Sequence, residues 1–411
     1  MILRVKDYTT KVGSGVTPKG GAETYLDSGI PLFRSQNVHD DGFVLEDIAY
    51  ISEETDELMK SSRVKAGDVL LNITGASIGR CYFTSDDFVY GNVNQHVCII
   101  RPKRKVIIPN YLHYLFISDI GQTYIDLTQT GANREGLTIK DIRTFSFDIP
   151  SLEKQQKIVE MLDAQLSSID KRISVLEQQL DAYARFKKSV IHQAVTRGLN
   201  PNVTLKDSGI EWIGMIPDHW ELRRIKDVVS VNKDCLGEDT DEAYKFRYID
   251  IGNVSSEGEI TLSDELYFYD APSRARRIVR KGDVIVSTVR TYLRAIARID
   301  FEARDIIAST GFAVLSPKKC MCSSYLAYVI RSSCIIDSIC AQSTGVSYPA
   351  ISSSNLSAID ILFPPLSEQQ EIANYLDEKC AKIDAAIENI TKQIDASKRL
   401  RKAIINEAIS G

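Results

Sequence analysis

Residues 150–158 read Pro-Ser-Leu-Glu-Lys-Gln-Gln-Lys-Ile, and residues 364–372 read Pro-Pro-Leu-Ser-Glu-Gln-Gln-Glu-Ile. The second stretch repeats the first at a shift of 214 positions, from 150 to 364. At the same shift, the pairs Leu-Asp and Ile-Asp recur at 162–163 and 376–377 and at 169–170 and 383–384. Weaker matches precede these pairs in the same order along the chain. For example, residues 64–70 resemble residues 279–285. Such internal similarity indicates a duplicated unit. The chain is therefore predicted to be module, helix, module, helix.

Each copy of the repeat opens a long helix with one apolar stripe. In the first copy, apolar residues recur in alternating steps of four and three, with only Lys187 interrupting, at Leu162, Leu166, Ile169, Ile173, Leu176, Leu180, Tyr183 and Val190. The second copy repeats the pattern at Leu376, Cys380, Ile383, Ile387, Ile390, Ile394 and Ile404. This spacing is typical of a coiled-coil seam. Each helix should run about 45 residues, roughly 65 to 70 Å. Their natural partners are each other, packed antiparallel, and the alternative is two unrelated buried helices in a larger core.

The modules between the helices have mixed patterns. Residues 67–73 and 282–287 resemble strands bounded by Gly and Asp turns, whereas residues 111–117 and 325–330 resemble short apolar helices. The predicted fold class is α+β, with two tandem α/β recognition modules joined by two long antiparallel coiled-coil helices and related by an approximate two-fold axis. The predicted boundaries are 1–150 for the first module, 151–198 for the first long helix, 199–221 for a linker, 222–364 for the second module and 365–411 for the second long helix.

Composition narrows the class of protein. A chain of 411 residues exceeds what one hydrophobic core usually supports, and 44% hydrophobic with 26% charged residues is ordinary for an ordered protein. We expect a cytoplasmic protein with no membrane segment, because no long apolar run or signal peptide is present. The eight cysteines lack C-x-x-C spacing and predict neither zinc nor disulfides. The net charge of −5 argues against a generic polyanion binder but allows a local basic patch.

An approximate two-fold rod suits duplex DNA, which proteins read with two modules about one helical turn apart. Residues 273–281, Ser-Arg-Ala-Arg-Arg-Ile-Val-Arg-Lys, supply a basic cluster suited to phosphates, and polar turns in both modules supply side chains suited to base edges. For any one of these residues a solvated charged face or a turn is an equally good interpretation. The DNA-contact candidates are Arg34, Gln36, Asn37, Lys65, Asn72, Thr74, Asn94, Arg134, Arg274, Arg276, Arg277, Arg290, Arg294, Ser347 and Tyr348.

Catalytic motifs are missing from the sequence. The nearest approach to a phosphate-binding loop, residues 13–21, lacks the Lys-Ser/Thr end, and Phe363-Pro364-Pro365-Leu366 has the wrong flanks for an amino-methyltransferase motif. The five histidines are scattered, without metal-ligand spacing. We therefore predict a chain with no catalytic, cofactor or metal site of its own.

The repeated helix opening, and the phrase Trp212-Ile213-Gly214-Met215-Ile216-Pro217-Asp218-His219-Trp220 before the second module, resemble the specificity subunits of type I restriction-modification systems. The resemblance covers essentially the whole chain. It implies two target-recognition domains that each read half of a bipartite, asymmetric DNA site, with the helices fixing the spacer. It also implies two modification subunits with S-adenosylmethionine, and restriction subunits with ATP and Mg, as partners. By similarity, Gln155, Gln156, Gln369 and Gln370 belong to the helical framework. Together with residues of the apolar seam they form the predicted helical framework and partner interface, and these seam residues are Leu162, Ile169, Ile173, Leu176, Leu376, Ile383, Ile387 and Ile390.

The phrase at 209–220 has no counterpart ahead of residues 3–7. Either the duplication is unequal here or the reading frame begins late, and the sequence leaves both alternatives open. Two rival functions differ in their consequences. A coiled-coil adaptor with two protein-binding modules predicts no salt-dependent DNA affinity, and a self-sufficient DNA-modifying enzyme would need motifs that the sequence lacks.

Overall fold

The computed structural model describes residues 1–129, 136–210, 213–345 and 348–411. These residues form two compact units. Unit 1 comprises Met1–Glu177 and Lys392–Gly411, and unit 2 comprises Gln178–Thr391. Each unit therefore contains one module and a segment of both long helices.

The module of unit 1 contains two four-stranded sheets. Its strands are β1 Ile2–Arg4, β2 Thr9–Ser14, β3 Ile30–Phe33, β4 Val38–His39, β5 Gly42–Phe43, β6 Ala49–Ile51, β7 Arg63–Val64, β8 Val69–Asn72, β9 Cys81–Phe83, β10 Gly91–Val93, β11 Val97–Pro102 and β12 Ser146–Asp148. One sheet has the order β2-β11-β8-β9 and the other β6-β3-β10-β7, while β1 pairs with β12. All pairs are antiparallel except β3 with β10. The first strand thus lies beside the last one of its module, which brings the chain back to the start of the long helix.

Short helices close this module. They are α1 Glu53–Leu58, α2 Pro109–Ile117, α3 Asp119–Thr128 and α4 Ile139–Thr144, followed by the long helix α5 Leu152–Arg197. Helix α2 begins with Pro109, whose fixed φ suits the first turn. Its residues Tyr111–Ile117 are all buried, which explains why its sequence is almost uninterrupted in apolar character. Helix α4 begins with a capping box, in which the Thr138 hydroxyl and the Asp141 carboxylate satisfy each other's backbone amides.

Unit 2 repeats this topology. Its strands are β13 Leu205–Asp207, β14 Met215–Pro217, β15 Glu221–Arg224, β16 Val229–Val231, β17 Lys245–Ile249, β18 Glu265–Tyr267, β19 Ala275–Ile278, β20 Val284–Ser287, β21 Ile296–Arg298, β22 Ile306–Ser309, β23 Phe312–Pro317 and β24 Asp360–Phe363. Its helices are α6 Ile225–Val228, α7 Ser323–Ile330, α8 Ser333–Ala341, α9 Ser353–Ala358 and α10 Leu366–Ser410. The sheets β16-β23-β20-β21 and β18-β17-β22-β19 match those of unit 1 strand for strand, and β15 pairs with β24 as β1 does with β12. The two modules therefore share a fold, as their common origin predicts.

Both long helices are present, and their seam residues are buried as the periodicity predicts. Leu162 and Leu176 on α5 and Leu376 and Ile383 on α10 are each less than a tenth exposed. Within unit 1, ion pairs join Asp170 to Arg401 and Glu177 to Lys398, so that rising numbers on α5 meet falling numbers on α10. The helix segments there run antiparallel. The remaining predicted seam positions on the two helices are buried or half-buried, except Tyr183.

Helix α5 ends where Gly198 adopts a left-handed φ of 72°. Its amide still bonds to the carbonyl of Ala194, as in a helix C-cap. A Cβ at this position would lie 3.2 Å from the Trp220 ring and 3.0 Å from the Glu368 carboxylate. The backbone angle and the close approach of these two side chains therefore both favour glycine at this position.

Candidate nucleic-acid interface

In unit 2, three loops are joined by backbone hydrogen bonds. They are the β20–β21 loop at 288–295, the β22–β23 loop at 310–311 and the segment at 342–351 before α9. The Thr288 amide donates to the Gly311 carbonyl at 2.8 Å, and the Ile351 amide donates to the Thr288 carbonyl at 2.8 Å. We call these described residues the second loop cluster. Loops held on a rigid sheet in this way are the usual carriers of binding residues.

Two arginines of the second loop cluster flank a single 3-10 turn at Thr291–Leu293. Arg290 and Arg294 are exposed and have left-handed φ values of 51° and 53°. Non-glycine residues in this region are uncommon and often mark binding sites. The Arg290 guanidinium lies over the Tyr348 ring at 5.1 Å, and that ring is 64% exposed. This pair offers a cation for phosphate beside an aromatic face for stacking.

The predicted basic cluster, residues 273–281, comprises β19 and the residues on either side of it. Arg274 is exposed, and its carbonyl accepts a hydrogen bond from the Thr310 amide, so it adjoins the second loop cluster. Its guanidinium lies 3.4 Å from the Asp250 carboxylate. The Arg276 guanidinium stacks over the Phe268 ring at 4.6 Å, and Arg277 donates to the Cys235 sulfur at 2.9 Å. These three arginines are thus partly engaged within the module.

The other two cations of the cluster are neutralised. Arg280 pairs with Asp234 at 2.6 Å, and Lys281 pairs with Glu302 at 2.9 Å. By contrast, within the described part of the chain neither Arg290 nor Arg294 forms an ion pair. Residues 273–281 therefore offer less free positive charge to phosphates than the sequence suggests. Arg290 and Arg294 of the second loop cluster add positive charge in the same module.

Unit 1 has an equivalent first loop cluster, formed by residues 73–80, 94–96 and 136–137. The Ile73 amide donates to the His96 carbonyl at 3.0 Å, and the Leu137 amide donates to the Ile73 carbonyl at 2.9 Å. Thr74 Oγ1 lies 2.6 Å from the His96 ring Nδ1. Thr74 and His96 are half-buried, whereas Gln95 is exposed. The same backbone frame thus carries neutral polar groups in unit 1 and arginines in unit 2.

Three predicted base-contact residues are buried, and their side-chain amides form hydrogen bonds within the module. Asn72 is fully buried and donates to the Ser35 carbonyl at 2.8 Å. Asn37, 1% exposed, accepts from the Arg34 amide and donates to the Val44 carbonyl. The Asn94 side chain, 6% exposed, accepts from the His96 amide. Because these amides hold turns together, we do not carry the three asparagines into the proposed interface.

The remaining candidates of unit 1 are closer to the surface. Arg34 donates to the Asp47 carbonyl, and the exposed Gln36 donates to the same residue's carboxylate at 2.7 Å. The Lys65 side chain is exposed. The predicted candidates Arg134 and Ser347 lie outside the described residues, in the segments at 130–135 and 346–347.

The repeated glutamine of the helix opening has a structural role that is identical in the two units. In unit 2, buried Gln369 accepts from the Cys322 amide at 2.8 Å and donates to the carbonyls of Cys320 at 3.2 Å and Pro364 at 2.8 Å. In unit 1, buried Gln155 makes the same three bonds, to Ile108, Val106 and Pro150, each at 2.9 Å. The neighbouring Gln156 and Gln370 are exposed. The first glutamine therefore ties each long helix to its module.

A second repeated hydrogen bond between each module and its long helix was not predicted from the sequence. Tyr114 donates to Asp163 at 2.6 Å, and Tyr328 donates to Asp377 at 2.7 Å. Burial and the acceptor carboxylate raise the pKa of both phenols, which keeps them protonated as donors. The repeat could have revealed this hydrogen bond, because each of these tyrosines and aspartates recurs at the shift of 214 positions.

The one polar residue in the seam of α5 also has a partner. Lys187 pairs with Asp384 of α10 at 2.6 Å within unit 2. The equivalent positions of unit 1 are Arg401 and Asp170, which pair at 3.0 Å. An ion pair at a seam position is a known means of fixing helix register.

Among the described residues, no three His, Cys, Asp or Glu side chains come together as a metal site. Over the same residues, no helix is long and apolar enough to cross a membrane.

Comparison with known proteins identifies the family. The family described as Type I restriction modification DNA specificity domain matches residues 4–178 and 217–396. The MjaX specificity subunit of Methanocaldococcus jannaschii, a putative type I restriction enzyme subunit, is 23% identical over all of this chain and 92% of its own length. The EcoBI specificity subunit of Escherichia coli is 33% identical, over 36% of this chain and 32% of its own.

A solved structure agrees on the fold. A chain from work on complex assembly and conformational transition of the type I R-M system covers 100% of this chain and 97% of its own, with 17% identity and a TM-score of 0.71. The predicted fold class, with tandem modules and a long helix pair, is confirmed. Since the family match takes in both modules and most of both long helices, this chain belongs to the type I restriction modification DNA specificity family.

Proposed function

We propose that this chain reads a bipartite, asymmetric DNA site, with one half-site for each module and a spacer set by the long helices. The observation that carries the proposal is the pair of loop clusters. Both are built on the same backbone frame, yet one offers Thr74 and His96 while the other offers Arg290, Arg294 and Tyr348. Two equal frames with different side chains suit two different half-sites.

The partners follow from the family. A specificity subunit is non-catalytic, and the chemistry resides in partner subunits. We propose that two modification subunits bind the helical framework, that restriction subunits join them, and that the complex acts in the cytoplasm. In this proposal S-adenosylmethionine, ATP and Mg²⁺ bind those partners. The exposed glutamines beside the buried ties, Gln156 and Gln370, lie where a partner could reach each helix opening.

The first experiment is co-expression of the chain with a type I modification subunit, followed by single-molecule sequencing of host DNA for methylated adenine. The expected result is a bipartite motif that appears only when both proteins are present. If the proteins co-purify with DNA-binding activity but methylate a single continuous site, the bipartite proposal is wrong.

A module exchange tests the assignment of half-sites. Residues 1–150 are replaced by the first module of another member of the family, and the methylated motif is determined again. Only one half of the motif should change, because each module carries its own loop cluster. A change in both halves would contradict one half-site per module.

The adaptor function receives no support from the family match. It would also leave the exposed Arg290 and Arg294 without a role, although their left-handed backbone indicates a functional constraint.

A further inference from the structure

The two loop clusters share a backbone frame but differ at its centre. By the hydrogen bonds of this frame, His96 of unit 1 corresponds to Gly311 of unit 2. By the isolated β-bridges that adjoin the frame, Thr74 corresponds to Val289. A polar pair at the centre of the first loop cluster is therefore replaced by a valine and a glycine in the second.

The second loop cluster shows that this polar pair is not needed to build the frame. A Cβ at Gly311 would lie 2.9 Å from Ile251 Cδ1 and 3.4 Å from Val289 Cγ2, so apolar side chains take the space next to this position. The corresponding loops are nevertheless joined by the same backbone hydrogen bonds in both units. Because the frame forms without the pair, Thr74 and His96 can serve another purpose in unit 1.

In unit 1 the polar pair continues to an exposed amide. Thr74 Oγ1 lies 2.6 Å from His96 Nδ1, and Gln95 Nε2 lies 3.4 Å from His96 Nε2. Since an amide nitrogen only donates, His96 Nε2 accepts, and the imidazole proton is on Nδ1, from which it is donated to the Thr74 hydroxyl. The backbone of this turn is fixed as well, because the buried Asn94 side chain accepts from the His96 amide at 3.1 Å. Gln95 itself is exposed.

These contacts leave a defined set of groups on the Gln95 amide. A primary amide has two N–H donors and one carbonyl acceptor. One N–H is directed at His96, so the other N–H and the carbonyl oxygen remain available. Adenine presents the complementary groups in the major groove, an N7 acceptor next to an N6 amino donor. Guanine presents two acceptors there and cytosine an amino donor, so neither base satisfies both groups of the amide.

We propose that Gln95 reads an adenine in the half-site of unit 1, with its carbonyl oxygen accepting from N6 and its second N–H donating to N7. Thr74 and His96 are positioning residues that hold the amide in this orientation. This inference rests on the proposed function and adds which base the first loop cluster recognises. Since enzymes that act on a base take it out of the stack, the adenine that Gln95 reads is distinct from the methylated one.

The test uses the complex of the full-length chain with a type I modification subunit. The methylated motif is determined by sequencing, and the module exchange identifies the half-site that belongs to unit 1. The complex is then titrated with duplexes that carry each of the four base pairs at every position of that half-site. The unchanged complex should require one A·T pair in addition to the methylated one. A half-site without such a pair would refute the proposal.

Substitutions of Gln95 test the contact itself. Gln95→Ala should reduce discrimination at that one position by about 5- to 100-fold, as expected for the loss of a bidentate contact. The slope of log K against log salt should not change, because Gln95 is neutral. Gln95→Glu should shift the preference at the same position to cytosine, whose amino group donates to a carboxylate.

The other positions of the motif are internal controls, and the whole half-site of unit 2 should be unchanged in both variants. If Gln95→Ala weakens binding evenly at every position, or leaves discrimination unchanged at all of them, Gln95 does not read a base.

Matched substitutions at Thr74 test the positioning role. Thr74→Val removes the hydroxyl at nearly constant volume and should reduce discrimination at the Gln95 position by about two- to tenfold, the value of one hydrogen bond. Thr74→Ser keeps the hydroxyl and should retain the discrimination of the unchanged complex. Equal discrimination in these two variants would show that the Thr74 hydroxyl does not position the amide.

The same measurements separate a failure of this inference from a failure of the proposed function. A methylated motif that is not bipartite would overturn the proposed function and this inference with it. A bipartite motif whose unit 1 half-site is read equally well by Gln95→Ala would overturn this inference alone.

Discussion

The sharpest prediction concerns Gln369→Ala in unit 2. The side chain is fully buried and makes three hydrogen bonds to backbone groups of Cys322, Cys320 and Pro364. A net contribution of about 1 kcal/mol for each bond gives about 3 kcal/mol, and buried groups left without a partner raise the cost. The neighbouring Gln370→Ala is the matched control. Gln370 is exposed and its side chain bonds to the Asn374 and Cys322 side chains at the surface, so its loss should cost less than about 0.5 kcal/mol.

The assay is urea unfolding followed by tryptophan fluorescence. Both tryptophans of the chain, Trp212 and Trp220, belong to unit 2, so the signal reports that unit. With a urea slope of about 2 to 3 kcal/mol per M, Gln369→Ala should lower the midpoint by about 1 to 1.5 M. Hydrogen exchange at the Cys322 amide should accelerate as well.

A small effect would refute this reasoning. If Gln369→Ala and Gln370→Ala unfold within about 0.2 M of each other, the buried glutamine is not a significant tie between helix and module. The same pair of substitutions at Gln155 and Gln156 repeats the test in unit 1, with exchange at the Ile108 amide as its readout.

Three further predictions concern charge. The double variant Arg290→Ala/Arg294→Ala should bind DNA of any sequence more weakly and should reduce the slope of log K against log salt by about 2. Lys281→Ala is the control and should change that slope little, because Lys281 is already ion-paired. If the double variant and the unchanged protein have equal slopes, these arginines do not contact DNA. Burial lowers the pKa of His113 to about 3, below its unfolded value of about 6.5, so it contributes stability at neutral pH that is lost as pH falls from about 6.5 towards 3. In His113→Phe, the stability difference between pH 7 and pH 4.5 should therefore shrink by about 2.5 kcal/mol in urea titrations, and an unchanged difference would contradict a neutral buried imidazole. Lys187→Leu should change the free energy of unfolding by less than about 1 kcal/mol, because burying leucine in the seam offsets the loss of the ion pair with the half-exposed Asp384. A loss of stability above about 2 kcal/mol would show that this ion pair is a major stabilising contact.

Local patterns predicted the elements well. The strand at β8 and its repeat at β20, the apolar helices α2 and α7, and both long helices were all legible in the sequence. They were legible because the period of buried residues follows from backbone geometry, which acts over a few residues. The position of Gln155 and Gln369 in the helical framework was expected from the resemblance, and the structure gives its cause in three backbone hydrogen bonds for each side chain.

The candidate interface was less predictable, because the state of a polar side chain depends on residues far away in sequence. Arg280 and Lys281 look like free cations in the sequence, but Asp234 and Glu302 neutralise them. From the sequence, Asn72 was a candidate for a base contact, but its side-chain amide donates a hydrogen bond to the Ser35 carbonyl. Conversely, Arg290 and Tyr348 are far apart in the chain and meet only because a hairpin loop and the segment before α9 share hydrogen bonds.

The sequence by itself determined the duplication, the long helices, the class of module and the family, since each depends on patterns that repeat at short or constant spacing. Only the tertiary structure decided which asparagines are buried and which cations among the described residues lack an ion pair. The physical reason is that burial and charge pairing are properties of a packed surface, and packing brings together side chains whose separation along the chain carries no signal.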